Sequence, residues 1–186
     1  MASTYRGQPY RAAFSGGRAA TSCRRWEWGG VPGIPLAIAK PDLEIMLVEA
    51  TSKKAAFLSD ICREMGGDRC KVLGERAERV GHLSPHREGY DVAVCRAVGP
   101  LREITEYLLP LVRVGGVAVA FKGPSIEAEI DLARDAVSKL GGGSIRIERA
   151  YPPHANNRST LVFIEKRRET PQLYPRAPGT PKRSSL

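Results

Sequence analysis

IMLVEATSKKAAFLSDICREMGGDRCKVL, residues 45–73, reads as strand, helix, strand. Ile45–Val48 is a short apolar run, the mark of a buried strand, and it ends on an acid, Glu49. Thr51 or Ser52 can cap the helix that follows, whose apolar positions Leu58, Ile61, Cys62 and Met65 recur at helical spacing and share one face. Gly66-Gly67 stops the helix, and Cys70–Leu73 is a second strand. Strands that alternate with helices form a parallel sheet covered on both faces, so this stretch places the chain in the α/β class.

The same alternation continues towards the carboxyl end. After the turn Gly74–Glu78, Val92–Cys95 is a third strand and a helix runs from about Leu101 to Leu109. Val114-Gly115-Gly116 is expected to turn the chain into a strand Val117–Phe121. Ser125 is a candidate cap for a longer helix, with Glu127 and Glu129 complementing the dipole of its first turn. Ile126, Ile130, Ala133, Val137 and Leu140 form that helix's apolar stripe, and Gly141-Gly142-Gly143 ends it. Ile145–Ala150 and Leu161–Ile164 are separated only by the loop Tyr151–Thr160, which makes them antiparallel neighbours. A Rossmann-like, mostly parallel sheet closed by an antiparallel hairpin resembles the fold of AdoMet-dependent methyltransferases.

Upstream the chain changes character. Residues 1–30 contain no Leu, Ile or Val, yet hold both tryptophans, five arginines and five glycines, with neither helix nor strand period. They carry net charge +4, residues 166–186 carry +5, and residues 31–165 sum to zero. Basic termini of this kind suit a phosphate backbone, and they suit equally well a solvated tail without a partner. At 186 residues the chain is the size of one domain. Its apolar runs fall short of the roughly 18–20 residues of a membrane span, and its first residues lack the apolar core of a secretory signal, so a cytoplasmic location without membrane contact is expected. Cys23, Cys62, Cys70 and Cys95 form no CxxC pair and read as reduced thiols. His82 and His86 have metal-ligand spacing, but Pro85 interrupts the helix they would need and no third ligand is near, so no metal is expected.

Seven strings then point one way: Gly29-Gly30-Val31-Pro32-Gly33-Ile34-Pro35-Leu36-Ala37-Ile38-Ala39, Leu47-Val48-Glu49, Lys53-Lys54-Ala55-Ala56-Phe57-Leu58, Arg76-Ala77-Glu78, Cys95-Arg96-Ala97-Val98, Phe121-Lys122-Gly123, and Tyr174-Pro175-Arg176-Ala177-Pro178-Gly179-Thr180-Pro181-Lys182. In this order and spacing, across residues 29–186, they resemble the ribosomal RNA small subunit methyltransferase G family, also called glucose-inhibited division protein B. Its members methylate N7 of a guanine in 16S ribosomal RNA with S-adenosyl-L-methionine (AdoMet). The resemblance implies that cofactor, 16S rRNA or the small ribosomal subunit as partner, and action as a monomer.

One departure stands out. Where the family reads approximately Val-Asp-Val-Gly-Ser-Gly-x-Gly, its first strand and cofactor loop, this chain has Cys23-Arg24-Arg25-Trp26-Glu27-Trp28-Gly29-Gly30. The codons TGT-CGA-CGT-TGG-GAG-TGG-GGG-GGN encode that string, and from their second base they encode Val-Asp-Val-Gly-Ser-Gly-Gly. The expectation is therefore three segments: 1–30 aberrant, disordered or translated out of frame; 31–166 an incomplete methyltransferase domain with its first strand and loop disrupted; 167–186 a basic tail.

In Rossmann-like domains a glycine turn lets the backbone approach the cofactor, and an acid about 20 residues on binds the ribose. Glu49 follows Gly30 by 19 positions at a strand end and suits that acid. By resemblance Gly30 and Val31 line the cofactor pocket, Ala77 and Glu78 border the adenine, and Arg96 sits at the methyl-transfer end as the candidate catalytic and cofactor-binding residue. The family's first loop glycine falls on Trp26, so that contact is lost. Lys53, Lys54, Lys122, Arg158, Tyr174, Arg176, Lys182 and Arg183 are the candidate RNA contacts. Guanine N7 carries a lone pair and no proton, which fits a chain without a Ser/His/Asp or paired-carboxylate arrangement. The alternative is a catalytically impaired remnant that at most binds RNA. A dinucleotide dehydrogenase would need a complete GxGxxG, which the chain does not contain.

Overall fold

The computed structural model describes residues 18–22, 30–96, 99–124, 126–150 and 159–186. The strands are β1 (Arg18–Ser22), β2 (Glu44–Val48), β3 (Cys70–Leu73), β4 (Tyr90–Arg96), β5 (Val112–Lys122), β6 (Gly142–Ala150) and β7 (Ser159–Lys166). The helices are α1 (Gly33–Ala39), α2 (Ser52–Glu64), α3 (Ala77–Val80), α4 (Leu101–Leu108), α5 (Glu127–Lys139) and α6 (Thr180–Arg183), with a 3-10 turn at Leu109–Leu111. One seven-stranded sheet has the order β3-β2-β1-β4-β5-β7-β6. β1 to β5 run parallel, and β7 pairs antiparallel with both β5 and β6.

Side-chain alternation divides each strand between two packed faces. On one face Met46, Val48, Ala93, Cys95, Ala118 and Ala120 meet Leu101, Ile104 and Leu108 of α4 and Ile130, Ala133 and Val137 of α5. On the other, Ile45 and Leu47 pack with Leu58 and Cys62 of α2 and with Ile34, Leu36 and Ala37 of α1. Further along that second face, Val92, Val94, Val119, Leu161 and Phe163 form their own cluster. The expected stripe Ile126, Ile130, Ala133, Val137 and Leu140 is buried throughout, while in the stripe of α2 Leu58 and Cys62 are buried and Ile61 and Met65 half-buried.

Several expectations need correction. The middle of the sheet, read as vacated, is filled: β1 pairs with β2 from Arg18↔Glu44 to Ser22↔Val48 and with β4 from Ala19↔Val92 to Thr21↔Val94. Those five residues carry no hydrophobic period, because the ladder that holds them is made of backbone groups. Val114-Gly115-Gly116 is no turn between elements. It lies inside β5, where the register against β4 jumps from Tyr90↔Val112 to Val92↔Val117 and the extra residues bulge out. Cys62 and Cys70, read as thiols, are joined as a disulfide: α2 returns to β3 with the two Cα atoms 5.3 Å apart. Cys95 is buried and outside the disulfide, as expected. Ser125, Cys23, Trp26, Arg158 and the Tyr151–His154 string lie outside the described residues.

Residues 167–186 fold back on the domain as a strap instead of extending from it. Lys166 Nζ, wholly buried, donates to Glu88 Oε1 (2.9 Å), Leu109 O (2.6 Å) and Thr170 Oγ1 (2.5 Å). Arg87 donates to the carbonyls of Gly81 and Tyr174 (2.8 Å each) and of Thr170 (2.6 Å). Buried polar groups need such partners, and each bond here ties the strap to the body.

Candidate functional site

In open α/β sheets a ligand binds beyond the carboxyl ends of the strands, where the strand order reverses. Here the order reverses between β1 and β4. Glu49 directly follows β2, Ala77 and Glu78 open α3 after β3, Arg96 is the last residue of β4, and Gly30 stands three residues before α1. Topology brings these residues to that carboxyl edge from separate parts of the chain.

Gly30 has φ +91°, a conformation L side chains rarely adopt, and a Cβ there would lie 2.7 Å from both Ile34 and Leu58. Its carbonyl accepts Ile34 N–H at 2.7 Å, which starts the turn into α1. A glycine is required for the chain to leave the strand edge and enter α1 while packed on α2. Val31 is half-buried beside it.

Glu49 is only 2% exposed at the end of β2. Its backbone N–H continues the ladder to Leu73 O (3.1 Å), and its Oε1 accepts Thr51 N–H at 2.7 Å. A carboxylate has capacity beyond one donor, so this acid is oriented by the chain and can take hydroxyl donors as well. Ala77 and Glu78 open the short helix α3 and are both buried, at 3% and 1% exposure. Glu78 Oε1 accepts the backbone N–H of Gly179, in the strap, at 2.9 Å. Arg96 ends β4 and is exposed.

The candidate RNA contacts separate into two groups. Lys53 is exposed and Lys54 half-buried in the first turn of α2, next to Glu49, while Lys182 and Arg183 are exposed in α6. The other group is already engaged. Lys122 Nζ binds Gly99 O (2.6 Å) and Glu129 Oε2 (2.7 Å), with its side chain 12% exposed. Arg176 donates Nε to Glu106 Oε1 (2.9 Å) and Nη2 to Glu106 Oε2 (2.7 Å), a bidentate pair on a fully buried carboxylate. That hydrogen-bonded carboxylate pushes the Arg176 pKa further up. Tyr174 is half-buried against the main core, with its carbonyl held by Arg87. Lys122 and Arg176 are thus structural cations, because internal carboxylates claim them. The histidines diverge as well: His82 Nε2 donates to Pro175 O (2.6 Å) and His86 shares a hydrogen bond with the Tyr90 hydroxyl (2.5 Å).

Sequence reasoning missed Glu106, Glu103, Arg87, Lys166 and Thr170. Glu103 and Glu106 sit on α4, where every residue but Arg102 is buried, and Tyr107 OH donates to Glu103 Oε1 at 2.6 Å. Acids flanking the apolar positions Leu101, Ile104, Tyr107 and Leu108 were the available signal, since a buried charge requires a partner.

Residues 29–156 match the protein family described as rRNA small subunit methyltransferase G. The chain is 39% identical over 167 residues to the ribosomal RNA small subunit methyltransferase G of Lactobacillus helveticus, covering 90% of this chain and 70% of that protein. It is 43% identical over 157 residues to the protein of the same name from Pelotomaculum thermopropionicum, covering 84% and 66%. Among solved structures, an M. jannaschii protein in complex with AdoMet superposes with TM-score 0.60 at 13% identity, over 84% of this chain and 74% of that one.

Proposed function

From the chain's membership of the rRNA small subunit methyltransferase G family, we propose that it is an AdoMet-dependent methyltransferase acting on N7 of a guanine in 16S rRNA, in the cytoplasm and as a monomer. The observation that carries the reading is the convergence of Gly30, Glu49, Ala77 and Arg96 on the carboxyl edge at the order reversal of the sheet.

The described residues of this edge suit the cofactor, while Trp26 replaces a glycine the family uses there. Gly30, whose Cβ side is filled by Ile34 and Leu58, would offer only backbone to the pocket. Glu49, fixed through Thr51, would accept the ribose hydroxyls; Ala77 leaves room for a flat ring; Val31 lines the pocket. When bound, AdoMet supplies an electrophilic methyl group on a sulfonium. Guanine N7 offers a lone pair without a proton, so no side chain has to act as base, and the chain's task is alignment and charge support. Arg96, exposed at the end of β4, would orient the guanine or the cofactor's carboxylate. Lys53, Lys54, Lys182 and Arg183 would hold phosphates around the same edge.

A second reading, an impaired remnant, is favoured by one observation: Trp26 stands where the family has its first loop glycine. Out-of-frame translation up to about Gly30 would account for that string and for the odd composition before it. Coding DNA incompatible with the codon string given above would refute it. Function is tested by incubating small ribosomal subunits and AdoMet with the chain and with a loop-restored form (Cys23→Val, Arg24→Asp, Arg25→Val, Trp26→Gly, Glu27→Ser, Trp28→Gly). The restored form is expected to produce 7-methylguanosine in 16S rRNA. Methylation at another atom would overturn the N7 assignment, and activity of the unaltered chain equal to the restored form would dismiss the remnant.

A further inference from the structure

Glu78 sits where the cofactor's adenine is proposed to lie, yet its carboxylate is oriented by a residue 101 positions away: Gly179 N–H donates to Oε1 at 2.9 Å. We infer that the C-terminal strap, residues 170–183, is a positioning element for the cofactor site, setting its adenine end through the Gly179–Glu78 bond. The inference rests on the proposed cofactor site.

α3 is four residues long and no side chain caps it, so its own hydrogen bonds cannot hold it in place. The strap supplies what α3 lacks. Pro175 packs on the glycine that follows α3 so tightly that a Cβ on Gly81 would lie 2.7 Å from its ring, and His82 donates to Pro175 O at 2.6 Å. Arg87 joins Gly81 O to Tyr174 O through one guanidinium nitrogen. Arg176 anchors the same segment to α4 by its bidentate pair with Glu106, and its backbone N–H adds a third bond to that carboxylate at 2.8 Å. Three residues on, Gly179 at φ +82° turns its amide towards Glu78. Glu78 is therefore a positioning residue: the carboxylate holds the strap, and the strap holds the backbone of Ala77 and Glu78 against which a flat ring would rest. Order in the strap and affinity at the cleft are then coupled, each raising the other by the same factor.

Gly179 offers a mild perturbation. A Cβ there meets nothing nearer than Arg183 Nη1 at 3.5 Å, so Gly179→Ala strains only the left-handed backbone, and Asn tolerates that region better than Ala. In the loop-restored full chain, dissociation constants for S-adenosylhomocysteine and for adenosine are measured by calorimetry, and amide exchange of Ala77–Val80 is followed alongside. Gly179→Ala is expected to weaken both ligands by about tenfold and to speed exchange in α3, with Gly179→Asn recovering most of the loss. Val119→Ala, in the separate cluster on the other face of the sheet, serves as control for general destabilisation. Unchanged affinity in Gly179→Ala, or an equal loss in Val119→Ala, overturns the inference. If the parent binds neither ligand, the cofactor reading fails, and exchange alone judges the strap: faster exchange of α3 in Gly179→Ala upholds it, and unaltered exchange rejects it.

Discussion

At the scale of single residues, the chemistry depends on charges placed where water is scarce. Glu49, at 2% exposure, keeps its orientation through Thr51 N–H. Glu49→Gln retains an oxygen for that bond while removing the charge that strengthens bonds from ribose hydroxyls. Its S-adenosylhomocysteine affinity is expected to fall by about tenfold or more with little change in the urea midpoint, and undiminished affinity would remove Glu49 from the site. Lys166 tests the interior. Burial pushes its pKa below the ordinary lysine value, with the Glu88 carboxylate opposing that shift. Between the lowered pKa and the unfolded value of about 10.4 the unfolded chain holds more protons, so stability rises with pH in that window and the effect is flat below it. Urea unfolding of the wild type and Lys166→Met across that alkaline range should show the wild type gaining on the variant; the opposite slope would contradict the assignment.

At the scale of elements, what was legible follows the strength of the period. β2, α2 and β3 could be read directly, because the apolar run Ile45–Val48, a helical stripe and a short strand-like stretch after Gly66-Gly67 leave one solution. α5 was equally clear from its five buried positions. β1 was not legible: Arg18-Ala19-Ala20-Thr21-Ser22 has no apolar alternation, and its place is set by the backbone groups of β2 and β4, which both require a partner. The bulge in β5 was hidden for a related reason, since a glycine pair signals a turn unless a neighbouring strand continues past it, as β4 does here. Ala20 faces Met46 on one side and Ala93 on the other, so Ala20→Pro places a residue without an N–H in mid-sheet. A loss of about 3 kcal/mol or more in urea unfolding is expected, and an unchanged midpoint would take this segment out of the sheet.

At the scale of the whole molecule, charge composition alone misjudged the carboxyl end. A net +5 over residues 166–186 resembles an arm reaching outwards, but Lys166 and Arg176 turn inwards to Glu88 and Glu106. Counting charges cannot separate cations that grip a partner from those that fasten the chain to itself; only the buried acids on α4 hinted at the second. The candidate site was more legible because Gly30, Glu49, Ala77 and Arg96 sit at strand ends that the α/β topology gathers on one edge. Between β1 and Gly30, Trp26 stands where the family has a glycine. Calorimetric titration of S-adenosylhomocysteine into the chain as it stands and into its loop-restored form tests the cleft most directly. Micromolar binding by the restored chain and at least about a hundredfold weaker binding by the unaltered one are expected; failure of the restored chain to bind, or equal affinity in both, would refute the proposed cofactor site.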